Sequence, residues 1–144
     1  MVSPGINDPH TAISVLDRLG ATLCDVVPLH FSQGVTLREG RAVLVVPSVG
    51  YGGLTDAMFH MIRQNAVRSA AVLIRLIEVL SAVAACERAP ARLMELQRHA
   101  DLALGDAERS IATPADLDDV RRRHDIFCTV RTHGGQALIC DYGG

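Results

Sequence analysis

The chain contains no lysine and no tryptophan, and aromatic residues make up 3% of it. Every positive side chain is an arginine. That absence removes Schiff-base and general-base lysine chemistry and any phosphate loop built on a lysine. So few rings leave little to stack on nucleobases, and a formal charge of −2 gives no general attraction for a polyanion, so no nucleic-acid partner is expected. The cysteines Cys24, Cys86, Cys128 and Cys140 lie far apart without a C-x-x-C pair and are expected to be reduced, mostly buried thiols. His10, His30, His60, His99, His124 and His133 show none of the H-x-H, H-x-x-x-H or H-E-x-x-H spacings, so no metal site is expected. A G-x-S-x-G elbow and a G-x-G-x-x-G loop are also missing, and "GYGG" at 50–53 reads as part of a linker. No cofactor and no catalytic residue are expected.

Long apolar runs are scarce too. The most apolar stretch, residues 70–85, carries Arg75 and Glu78 near its middle, which fits a buried helix better than a membrane span. What the chain does have is enough apolar residues, 49% of 144, to build one core. Ala12, Ile13, Leu16, Leu19, Leu23 and Val27 recur at helical spacing and predict a first helix over 9–27. "VTLREGRAVLVV" predicts a short hairpin about Glu39 and Gly40. Leu54, Met58, Met61, Ile62 and Asn65 mark a second helix with Asp56, His60, Arg63 and Gln64 on its polar flank. Residues 70–86 predict a central helix in which Arg75 and Glu78 pair across one turn. Pro90 opens a fourth helix with a stripe through Leu93, Leu96, Ala100, Leu104, Ala107 and Ile111.

A short fifth helix is predicted from the cap-like Thr113, Pro114 and Asp116, with Asp118–Arg122 and Asp119–Arg123 pairing on its surface. The tail "IFCTVRTHGGQALICDY" reads as two strand-like runs about Gly134 and Gly135, or as disorder. The expected fold class is therefore α-rich (α+β): about five helices around a central apolar helix, with a small β-hairpin. Residues 1–124 form a single helical domain in this reading, and 125–144 an uncertain tail.

"SPGINDPHTA" near the start has two readings. Asp8 as N-cap and Pro9 at the first helical position explain it as a helix entrance. Alternatively Ser3, Asn7, Asp8 and His10, with Arg63, bind a small polar or anionic ligand at the positive helix end. The helix entrance is the favoured reading. "SPGINDPHTAISVLDRLG", "GRAVLVVP", "DAMFHMIRQ" and "AAVLIRLIEVL" resemble, in order and spacing, the C-terminal soluble region of the domain-of-unknown-function 2254 family of predicted bacterial inner-membrane proteins.

The resemblance covers residues 2–124 and brings no catalytic residues with it. It implies membrane association through segments ahead of this motif, and a location in the cytoplasm at the face of the inner membrane. Those segments have no counterpart here, so the chain reads as a stand-alone short relative or an incomplete gene product. The first helix is then expected to lack part of its cover, leaving Ile13, Leu16 and Leu23 to drive self-association or to meet a protein partner. Together these readings predict a non-enzymatic cytoplasmic domain acting through protein contacts or regulation.

Overall fold

The computed structural model describes residues 8–28, 35–45 and 50–134. Its helices are α1 (Pro9–Val26), α2 (Tyr51–Asn65), α3 (Ala70–Cys86), α4 (Pro90–Ser110) and α5 (Pro114–His133), and the fold of the described residues is helical. Between α1 and α2, β1 (Val35–Arg38) and β2 (Arg41–Val45) pair antiparallel, with Val35 opposite Val45 and an irregularity between Thr36 and Leu37. Glu39 and Gly40 connect them, both at positive φ.

α3 is the centre. Nine of its residues are buried, among them Leu73, Leu76, Ile77, Leu80 and Val83. Its valines and isoleucines cost a few tenths of a kcal/mol each in helix propensity. Burying such a side chain returns roughly 1.5–3 kcal/mol, so burial decides. α1, α4 and α5 all pack against it.

Cross-helix contacts fix the directions. Arg75 Nε donates to Asp17 Oδ1 at 2.6 Å, Gly20 faces Val79 further along, and Arg92 Nη1 donates to the Val27 carbonyl at 2.9 Å just beyond both helices. α1 and α3 therefore run parallel. On the other side, α2 lies parallel to α4, with Gly52 beside Glu95, Asp56 beside Arg98 and Arg63 beside Asp106. α5 returns antiparallel along α4, where Arg121 meets Glu108 and His124 meets Asp101.

The α3–α4 corner holds several helix ends together. Buried Glu87 accepts from the backbone N–H groups of Arg88 and Ala89 at 2.8 and 2.9 Å, and Arg92 reaches its other oxygen at 3.5 Å. The Arg92 guanidinium also lies over the Tyr51 ring, 5.1 Å from its centroid. One carboxylate thus satisfies amide groups that open α4 while its arginine partner binds α1 and α2.

Several sequence expectations need correction. α2 begins at Tyr51, so Gly52 and Gly53 sit in its first turn and not in a linker. Leu16 and Leu23 are fully buried and Ile13 partly so, because α3 covers α1. α5 runs past residue 124 to His133, with Phe127 and Val130 buried, so the proposed tail boundary falls inside a helix. Val120, Phe127 and Val130 continue one helical face, and that burial outweighs the β propensity of "IFCTV". Gly134, at φ 76, ends the helix instead of turning a hairpin, and its N–H bonds the Val130 carbonyl at 2.7 Å. The rest of the tail lies outside the described residues. Thr113 occupies the α5 N-cap position without a side-chain cap bond. The surface arginines pair one residue closer than expected, Arg121 with Asp118 and Arg122 with Asp119, while Arg123 reaches Glu78 on α3.

A Cβ placed on Gly20 would lie 2.6 Å from Val79 Cγ1. Alanine improves helix propensity by about 1 kcal/mol, but here it must displace a β-branched core side chain, an overpacking cost of roughly 1–3 kcal/mol. Gly20→Ala is expected to lower stability in urea denaturation. Adding Val79→Ala should remove the clash, so the cost of the pair falls below the sum of the two single changes.

Candidate functional site

At the entrance of α1, Asp8 is the N-cap. Its carboxylate accepts from the His10 and Thr11 backbone N–H groups at 3.1 and 3.2 Å and from Thr11 Oγ1 at 2.7 Å. These bonds, led by the Thr11 hydroxyl, hold the carboxyl below its ordinary range. His10 is exposed. Ser3 and Asn7 lie outside the described residues. Arg63, the fifth candidate, is turned to α4, where it pairs with Asp106.

Arg63 is therefore a correction to the polar flank assigned to α2. Tyr51, Thr55, Phe59 and Arg63 recur every fourth residue and form the buried stripe of the helix. Thr55 joins it because its hydroxyl bonds the Tyr51 and Gly52 carbonyls. Arg63 joins it because Asp106, itself buried, accepts from both Arg63 and Arg109. The Arg63 Nε atom is buried without a hydrogen-bond partner among the described residues.

A second polar group lies two turns along the same α2–α4 seam. Asp56 receives Arg98 Nη2 at 2.6 Å and sits 3.3 Å from His99 Nε2. His99 is 1% exposed and meets the Phe59 ring edge-on. Burial, then the nearby Arg98 charge, pushes His99 down to about 4 against the pull of Asp56. Arg98 Nη2, which can only donate, also lies 3.4 Å from His99 Nε2, and His99 Nδ1 is buried without a hydrogen-bond partner among the described residues.

Among the openings along the described residues, two bear on function. Between the start of α1 and the end of α2 is a groove of about 210 Å³ lined by Thr11, Ala12, Val15, Met61, Ile62 and Asn65. Val15 is 41% and Met61 64% exposed, and the lining carries no charge. The second opening, about 430 Å³, lies along α4 toward the end of α5, where Arg98, Arg109 and Arg131 surround Met94 and Leu102. Gln97 and Asp101 form part of its wall. Sequence reasoning missed both: no pairwise spacing reports which faces of α4 and α5 meet. Among the described residues no group of three or more His, Cys, Asp or Glu side chains is arranged to hold a metal ion.

Comparison with known proteins then adds two findings. The family described as predicted membrane protein (DUF2254) matches residues 2–82. Uncharacterised proteins of Mycobacterium bovis and of two strains of Mycobacterium tuberculosis are 29% identical over 116 residues, 80% of this chain and 22% of each relative. The chain thus spans about a fifth of the length of the curated relatives it matches. No solved structure matches it. None of the helices described here is long and apolar enough to cross a membrane.

If Arg63 is a structural ion-pair partner, Arg63→Met should cost about 2–4 kcal/mol by leaving Asp106 with one arginine. Arg63→Met combined with Asp106→Leu should recover most of that loss in urea denaturation; no recovery would show that Arg63 acts elsewhere. For His99, an unfolded chain takes up a proton near pH 6.5, but the folded one does so only near 4. Its contribution to stability is complete above about 6.5 and lost as pH falls toward 4. The melting temperature should fall through that window, and His99→Gln should flatten the fall.

Proposed function

We propose that this chain, which belongs to the DUF2254 family of predicted membrane proteins, is a helical module working through contact with another polypeptide. The α1–α2 groove carries this reading. It places Val15 and Met61, two of the exposed large hydrophobic side chains, across an uncharged trough, where an apolar helix edge would remove both from water. The occupant proposed is a second copy of this chain. In the family setting we place the module beside the membrane at its cytoplasmic face, with spanning segments supplied by other parts of a longer protein. The β1–β2 pair, read as a small hairpin, would be an appendage of one helical domain, giving it an α+β character.

Contact is favoured over chemistry at the α1 entrance for two reasons. Asp8 already caps the helix, and Arg63 is committed to Asp106. A small polar or anionic ligand held by Ser3, Asn7, Asp8 and His10 therefore draws no support from Arg63.

Sedimentation equilibrium at micromolar concentration tests the reading. The wild-type chain is expected to self-associate, and Met61→Glu and Val15→Glu to shift it to monomer with the melting temperature changed little, since both side chains are exposed. A monomeric wild type, or association indifferent to both substitutions, would overturn it.

A further inference from the structure

Where α5 crosses α4, four side chains converge that neither the family nor the groove explains. Cys128 Sγ lies 3.8 Å from His124 Nδ1, one helical turn away. His124 Nε2 lies 2.7 Å from Asp101 Oδ1 on α4, and the side chain of His124 is 14% exposed. Gln97 Nε2 donates to the same Asp101 oxygen at 2.6 Å and reaches Cys128 Sγ at 3.9 Å. Asp101 and Gln97 also line the arginine-bearing cleft of about 430 Å³.

The geometry has a chemical direction. Asp101 accepts the Nε2 proton of His124, which fixes the tautomer and turns the Nδ1 lone pair toward the thiol. A thiol facing a base that a carboxylate orients is the arrangement of an activated nucleophile. The Gln97 amide beside the sulfur can donate to a thiolate. Cys24 contrasts with it: burial, together with the neighbouring Cys86 and Asp25, pushes that thiol up and keeps it protonated. Cys86 is exposed, with Cys24 as its hydrogen-bonded neighbour, and serves as the comparison thiol that has no histidine base in contact.

We propose that Cys128, with His124 as its base and Asp101 and Gln97 as positioning residues, is a reactive thiol site that takes low-molecular-weight disulfides bearing carboxylates. His124 accepts the thiol proton as Cys128 Sγ attacks one sulfur of the disulfide. The S–S bond of the reagent breaks, a mixed disulfide forms on Cys128, and the departing thiolate takes the proton from His124, so one disulfide is exchanged for another and one thiol is released. Of the arginines that line the cleft, Arg98 and Arg109 are committed to Asp56, Glu95 and Asp106, so Arg131 supplies the charge that favours an anionic reagent.

The test uses the full chain and 5,5′-dithiobis(2-nitrobenzoate), a dianionic disulfide, with the modified cysteines located by peptide mass mapping at short times. Cys128 is expected to react at least tenfold faster than Cys86. His124→Gln should remove that advantage while the Cys86 rate stays unchanged. Cationic cystamine should show a smaller preference for Cys128 than the dianion, and Arg131→Gln should narrow the gap between the two reagents. Because His124→Gln could loosen α5, its circular dichroism and melting are measured alongside, and Asp101→Asn, on the more exposed partner, should reduce the Cys128 rate independently. Equal rates at Cys128 and Cys86 in the wild type, or a Cys128 rate indifferent to both His124→Gln and Asp101→Asn, would overturn the proposal. An advantage kept equally for cystamine would overturn its anionic specificity.

Discussion

α3 cannot be left partly in water. Leu73, Leu76, Ile77, Leu80 and Val83 lie around most of its circumference, so a single neighbour would leave apolar surface exposed. α1, α4 and α5 provide the cover, and α2 reaches the bundle mainly by packing on α4. The narrow polar edge of α3 has a matching role. Arg75 and Glu78 connect there to Asp17 on α1 and Arg123 on α5, so one short strip of charge ties α3 to both neighbours. These pairs are exposed and contribute little stability individually. Their effect is to choose among packings that burial alone would leave nearly equal in energy.

The exclusive use of arginine acquires a structural meaning in this frame. Arg75 divides its fork between Asp17 and Glu78, and Arg98 between Asp56 and Glu95. Asp106 is the reverse case, one buried carboxylate held by Arg63 and Arg109. A planar guanidinium can serve two acceptors in fixed directions and keeps its charge when buried, which an ammonium does less well. The α2–α4 seam relies on this, since its stripe contains an arginine and its facing helix a histidine and an aspartate.

Much of the helical framework was legible in the sequence because the apolar period is strong. Asp8 and Pro9 at the start of α1, Pro90 at the start of α4 and the Arg75–Glu78 pair all follow from local chemistry within one or two turns. Arg63 was not legible. A charged side chain in an amphipathic pattern is assigned to solvent unless its partner is known, and Asp106 lies 43 residues away on another helix. The C-terminal half of α5 was hidden for a different reason. Its β-branched residues favour a strand locally, and only the burial of Phe127 and Val130 against the bundle makes the helix the lower-energy choice. Thr129 and Thr132 are tolerated there because their hydroxyls bond the Asp125 and Cys128 carbonyls one turn back.

That extension of α5 also determines what chemistry the surface can present. Read as a strand, the tail would put Cys128 beyond the end of the helix that carries His124, with no defined relation to it or to α4. As a helix it sets them one turn apart on a single face, and the antiparallel crossing brings Asp101 and Gln97 opposite both. The constellation therefore arises from packing that the local sequence opposes. The α1–α2 groove, by contrast, is lined by helices whose patterns were plain, and it holds no ionisable side chain. A face built of Val15, Met61 and Ile62 is suited to apolar contact, while the α4–α5 face gathers a thiol, a base and three guanidiniums. The two faces therefore divide apolar contact from polar chemistry, and a change confined to one can be made without altering the other.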